Sequence, residues 1–155
     1  MPDVDPIPKD YPRLSPYLCV DGADEAIAFY TRILGAVERL RLAGPGGRVG
    51  HAELAFGDSL VMLSDEFPDM GVAGPSTVGG TPVTLSLYVK DVDATFEEAL
   101  RAGATALRPV EDQFYGDRSG QFLDPFGHRW NVATRVEDVT PDEMASRSAK
   151  MLGGD

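Results

Sequence analysis

LCVDGADEAIAFYTRILGA, residues 18–36, and LYVKDVDATFEEALRAGA, residues 87–104, lie over one another with one residue of slack, Val20 on Val89 and Gly35 on Gly103. Each opens on a short alternating run, passes through an acidic turn and continues at helical spacing to a glycine stop. In the first copy Ala23, Ala26, Ile27, Tyr30, Ile33 and Leu34 form one apolar face, with acidic residues in the first turn. In the second copy Val92, Phe96, Ala99 and Leu100 do the same.

The pattern around each copy repeats as well. LSPYLCV, residues 14–20, alternates as a half-buried strand with Pro16 near its start, and PVTLSLYV, residues 82–89, alternates likewise. After the first helix come VERLRLA, the turn GPGG, RVGHAELAF, the turn GD and SLVMLS, which read as antiparallel strands joined by tight turns. After the second come ATALRP and two strands flanking DPFG. The chain is therefore a duplicated βαβββ unit, of α+β class, whose period suits two modules with sheets curved around a shared cleft rather than a solenoid. Modules span 14–64 and 82–134, giving one domain over 14–134. The aperiodic run 65–81 is a linker, 1–13 a Pro-rich arm, and 135–155 a tail whose Thr140, Pro141 and Glu143 set up a capped helix.

Bulk properties narrow the function. A chain of 155 residues with 43% apolar content builds one real core. A net charge of -11, with 14 basic residues thinly spread, leaves no clustered positive face for nucleic acid or an anionic membrane. The single cysteine, Cys19, excludes an internal disulfide and a Cys-based zinc site, and its apolar neighbours Leu18 and Val20 mark a buried thiol. With no secretory or membrane-spanning segment in view, a cytoplasmic protein is expected.

QFYGDRSGQFLDPFGHRW, residues 113–130, carries the densest polar chemistry. DPFG is the sequence of a hairpin turn, with Gly127 free to take positive φ and Asp124 placed to bond the turn's own backbone. If Asp124 faces His128, then Phe122 pairs with Trp130 and Gln121 with Asn131. Phe122, Trp130 and Val132 then belong to the core, with His128 on their side, and Gln121, Arg129 and Asn131 face the cleft. The same parity argument sets Leu14, Leu18 and Val20, Val83 to Val89 in alternation, and Leu54 with Phe56 toward the core. The expected cleft is lined by Ser15, Tyr17, His51, Glu53, Met62, Thr84, Ser86, Tyr88, Gln121 and Asn131, which suits a small polar or aromatic molecule. In YGDRSG, Arg118 reads as a clamp for a carboxylate or phosphate with Tyr115 over an aromatic ligand, or else as a rim-loop residue paired to Asp117 or a neighbouring Glu. His51 and Glu53, at i and i+2 on one strand, share a face: a general base with its orienting carboxylate, two ligands of a metal, or a hydrogen-bonded pair that shapes the pocket.

The paired modules, the AIAFYTRILGA helix, DPFGHRW, GHAEL, SLVMLSDEFP and QFYGDRSG together resemble the glyoxalase/bleomycin resistance/dioxygenase family, the vicinal oxygen chelate superfamily, and its PhnB-like, glyoxalase-like branch, over residues 14–134. The resemblance implies a homodimer. It also implies, in the family's enzymes, a divalent metal held by one His or Glu from each of four strands, at positions that here carry Ser15, Met62, Thr84 and Asn131. Two hydroxyls, a thioether and an amide do not make such a site. The expectation is a binding protein of the bleomycin-resistance kind without a cofactor. The alternative is a glyoxalase, lyase, isomerase or dioxygenase-like enzyme using His51 and Glu53, with a displaced divalent metal such as Zn or Ni.

Overall fold

The computed structural model describes residues 3–153. The chain divides into two compact units, Met1–Gly80 and Thr81–Asp155. Each unit is one four-stranded mixed sheet with a helix over one face.

In the first unit β1 (Tyr17–Val20), α1 (Ala23–Leu34), β2 (Val37–Ala43), β3 (Val49–Phe56) and β4 (Ser59–Asp65) follow the expected βαβββ order. The sheet runs β1-β4-β3-β2, with β1 parallel to β4 and the other pairs antiparallel. Val20, Leu54 and Leu63 meet Ala23, Ala26 and Tyr30 of α1 in a fully buried core. Each large side chain so buried contributes roughly 1.5–3 kcal/mol. β1 is shorter than the alternation suggested. Pro16 has no N–H to give, so the ladder begins at its carbonyl, which accepts Met62 N–H at 2.9 Å. Leu14, expected in the core, lies before that point and is 88% exposed. Val83 is likewise exposed, one residue ahead of its strand.

No side chain of its own caps the start of α1. Asp65, at the end of β4, does so instead. One carboxylate oxygen accepts Gly22 N–H at 3.0 Å and Ala23 N–H at 2.8 Å, and the other accepts Val49 N–H at 2.8 Å. Burial pushes this carboxyl's pKa up, but the three N–H donors and Arg48 outweigh it and hold the group below its ordinary value. The run expected as a linker closes back on the first unit. It holds a short helix α2 (Pro75–Val78), and Glu66 accepts Gly74 N–H at 2.6 Å. Gly74 must be glycine, since a Cβ there would stand 2.8 Å from the Cys19 carbonyl oxygen. Burial pushes the Cys19 thiol up to about 11, which leaves it protonated and unreactive at neutral pH.

In the second unit β5 (Thr84–Tyr88), α3 (Val92–Arg101), β6 (Thr105–Asp112), β7 (Asp117–Leu123) and β8 (Arg129–Arg135) repeat the plan in the order β5-β8-β7-β6. Asp91 caps α3 by accepting Ala94 N–H at 3.1 Å. Phe96 meets Phe122 edge to face, with centroids 6.2 Å apart, beside the buried Trp130 and Val132. The hairpin register is the expected one, Phe122 opposite Trp130 and Gln121 opposite Asn131. Asp124 is its staple. Its Oδ1 accepts the N–H groups of Phe126 and His128, both at 2.9 Å, and its Oδ2 accepts Trp130 Nε1–H at 3.0 Å. Gly127 takes φ 92° in the turn. α4 (Pro141–Met151) starts at Thr140, whose hydroxyl accepts Glu143 N–H, and is anchored by Arg147 to Glu137 and the Phe114 carbonyl.

Among the described residues no helix is long and apolar enough to cross a membrane.

Candidate functional site

In each sheet polar side chains stand among the residues that point away from the helix, and pairing register sets them in rows. Across β1, β4, β3 and β2 one row reads Tyr17, Met62, Glu53 and Leu40. Across β5, β8, β7 and β6 the equivalent row reads Ser86, Asn131, Gln121 and Arg108. The sequence alignment of the two copies sets Ser86 on Tyr17, and the ladders then set Asn131 on Met62, Gln121 on Glu53 and Ser119 on His51.

In the first unit the row carries a continuous hydrogen-bonded chain. Tyr17 Oη lies 2.8 Å from His51 Nδ1, and His51 Nε2 lies 2.9 Å from Glu53 Oε2. Tyr11, in the arm ahead of β1, donates its hydroxyl to the same carboxylate at 3.0 Å, and the Arg39 guanidinium lies 5.1 Å from the centre of its ring. Glu53 is buried while Tyr17 is half open to water, so the chain runs from the interior to the surface. The hydrogen bond from His51 holds the Glu53 carboxyl below its ordinary range, against the opposing effect of burial, and Tyr11 adds to the lowering. The hydrogen bond to Glu53 raises the Tyr11 phenol in turn, and burial raises that of Tyr17. An ionised Glu53 only accepts, so His51 carries a proton on Nε2, and in the neutral ring Nδ1 then accepts the Tyr17 O–H. Both ring nitrogens are thereby engaged. Met62 sits half-buried between Tyr17 and Glu53, and Ser15, ahead of β1, keeps a buried hydroxyl with no hydrogen-bond partner among the described residues.

In the second unit Asn131 Nδ2–H donates to Ser86 Oγ at 3.3 Å. Gln121, Asn131 and Tyr115 line one recess of about 130 Å³, together with Arg108, Gln113 and Ser119. Thr84 is exposed at the sheet edge, opposite Arg129. Tyr88 donates to Asp117 Oδ2 at 2.7 Å, and Arg135 approaches the other oxygen at 3.3 Å, so this phenol is held at the sheet margin.

Arg118 is elsewhere. Strand parity sets it with Gly120 and Phe122 on the helix side of the sheet, where Nε and Nη2 grip both oxygens of Asp93 at 2.8 and 2.9 Å and Nη1 meets Asp112 at 3.1 Å. Arg118 is paired to acids, but to Asp93 of α3 and Asp112 of β6 rather than to Asp117 or a neighbouring Glu; Asp117 is engaged by Tyr88 and Arg135. Gly116, in the same YGDRSG run, has φ 99° and lies against the Glu137 carbonyl, which closes the loop.

Tyr11, Arg108, Gln113 and Ser119 are polar site residues that the alternation did not single out. Tyr11 lies in an arm without periodicity. Arg108 is displaced by a register shift between Ala106 and Arg108, which breaks the parity count on β6.

Residues 13–132 match the family described as the Glyoxalase/Bleomycin resistance protein/Dioxygenase superfamily. Uncharacterized protein Mb0911c of Mycobacterium bovis is 48% identical over 146 residues, covering 92% of this chain and 96% of that protein. Among solved structures, protein PA1353 from Pseudomonas aeruginosa superposes with TM-score 0.65 at 26% identity, covering 81% of this chain and 99% of that one. The Bacillus cereus PhnB protein, described as a putative 3-demethylubiquinone-9 3-methyltransferase, shares the fold at TM-score 0.64 and 16% identity, over 79% of this chain and 99% of that one.

Proposed function

The chain belongs to the glyoxalase/bleomycin resistance protein/dioxygenase superfamily, and on that premise we propose that it binds a small organic molecule on the polar faces of its sheets without using a metal. That it acts as a cytoplasmic homodimer is part of the same proposal. The observation that carries it is the state of His51, whose two ring nitrogens are taken by Tyr17 and Glu53. A metal at this imidazole would have to displace one of them. The positions that the resemblance would fill with ligands carry Ser15, Met62, Thr84 and Asn131, and this donor set does not fit a divalent cation. Among the described residues no three His, Cys, Asp or Glu side chains converge as a cation would require.

The test is a thermal-shift screen of small organic molecules on protein stripped with EDTA, repeated with Zn, Ni, Mn and Fe restored. Ligands that raise Tm equally with and without metal are expected. Ligands that act only after metal is restored, or a library in which nothing raises Tm, would end the proposal.

A second reading rests on the same chain of groups. A base held by a buried carboxylate and reaching a phenol is the arrangement that proton-transfer enzymes use, so His51, oriented by Glu53, could relay a proton to and from Tyr17. Turnover of a carbonyl substrate that is lost in His51→Ala and Tyr17→Phe alike would favour it over binding alone.

A further inference from the structure

We infer that the recess on the second sheet is the seat of a carboxylate, so that the bound molecule is a small organic acid engaged by Arg108. The inference rests on the small-molecule reading above and names the class of molecule that reading leaves open.

Four arginines of the second unit are already spent on acids: Arg101 on Glu97, Arg118 on Asp93 and Asp112, Arg135 on Asp117, and Arg147 on Glu137 and Glu143. Arg108 and Arg129 make no ion pair among the described residues, although the chain carries 25 acidic side chains and a net charge of -11. Register sets both on the same side of the sheet. Arg108 stands opposite Gln121, Gln121 opposite Asn131, and Arg129 lies two residues before Asn131 on β8. The Arg129 Nε–H is buried with no acceptor among the described residues, but Arg129 does not line the recess; Arg108 does, and its guanidinium is the cation a ligand there would meet.

The recess selects the kind of anion. Of its lining residues Glu111 alone is acidic, and it makes no ion pair with Arg108. A single planar guanidinium matches a carboxylate as a two-pronged pair, while a dianion such as phosphate would add repulsion from Glu111. Gln121 and Asn131 supply neutral amides on which the rest of the molecule can be read, and Tyr115 gives an aromatic wall. At about 130 Å³ the recess holds the acid group and its first carbons, the room of roughly four water molecules at their share of the liquid. The remainder of the ligand extends along the open face.

The experiment uses benzoate, benzamide and inorganic phosphate as probes on the full chain, followed through the arginine Nε–H and Asn/Gln side-chain signals in ¹⁵N NMR. Benzoate is expected to shift the Arg108 Nε–H and the Gln121 and Asn131 amides with a millimolar Kd. Benzamide should bind at least tenfold more weakly, phosphate should not compete at equal concentration, and Arg108→Gln should lose at least tenfold. Arg118→Gln should change Kd less than twofold. Benzamide binding as well as benzoate, phosphate displacing it, or Arg108→Gln retaining full affinity would each overturn the inference. Arg108→Lys, which keeps the charge but not the two-pronged geometry, read for a fivefold or greater loss, provides a second variant should Arg108→Gln prove unstable. If the thermal-shift screen yields only neutral or cationic ligands indifferent to Arg108→Gln, the acid inference falls while the binding reading stands; if it yields none, both fall.

Discussion

The Tyr17 hydroxyl and His51 Nδ1 stand 2.8 Å apart, and the far side of the same ring meets Glu53. The phenol, half open to water, is thus the outer end of a chain that leads to the buried carboxylate. ¹⁵N NMR should find the neutral His51 ring as the Nε2–H tautomer. In Tyr17→Phe the Nδ1 acceptor loses its partner, and the cost to stability should be about 1 kcal/mol in urea unfolding. A wild-type ring protonated on Nδ1 alone would refute this assignment of donors.

Glu53 gives stability a dependence on pH. Folding lowers its pKa through the bonds from His51 and Tyr11, so near the ordinary glutamate value the unfolded chain binds a proton that the folded chain does not. Its contribution is complete above that ordinary value, about 4.3, and is lost as pH falls through the lower folded value. Glu53→Gln should flatten this acid limb in a series of denaturant melts. An unchanged slope below pH 5 in the variant would show that other carboxylates carry it.

Asp124 is buried with three N–H groups pointing at it. Asp124→Ala should destabilise the protein by about 3 kcal/mol, because it removes the shared acceptor of the Trp130 indole and two backbone N–H groups. Near-UV circular dichroism should lose the Trp130 signal at lower denaturant. A loss below about 1 kcal/mol would mean that the turn holds without its staple.

Arg118 grips Asp93 where 35% of its side chain is open to water, and exposed pairs of this kind contribute about 0.2–1 kcal/mol. Arg118→Gln should therefore cost under about 1 kcal/mol and leave the binding of any ligand found in the screen unchanged. A tenfold loss of affinity would return Arg118 to the binding face.

The fold was legible because two copies of one pattern constrain each other. Val20 on Val89 and Gly35 on Gly103 fix the repeat, and strand parity then separates core from open face at Leu54, Phe122 and Trp130. Parity failed where the chain departs from regular pairing. Leu14 was counted into a strand that Pro16 cannot begin, Arg108 lies past a register shift, and Arg118 lay in a loop-like run that is in fact the start of β7. Contacts between distant parts of the chain left no local trace either. Nothing near α1 announces that Asp65 caps it, and nothing in the Pro-rich arm announces that Tyr11 reaches Glu53.

The equivalence of His51 with Ser119 and of Glu53 with Gln121 has an evolutionary meaning. Duplication hands a lineage the same lattice of positions twice, and each copy is then free to specialise. Here one copy presents groups that can gain and lose protons, while the other holds at those addresses a hydroxyl and an amide that can only share them.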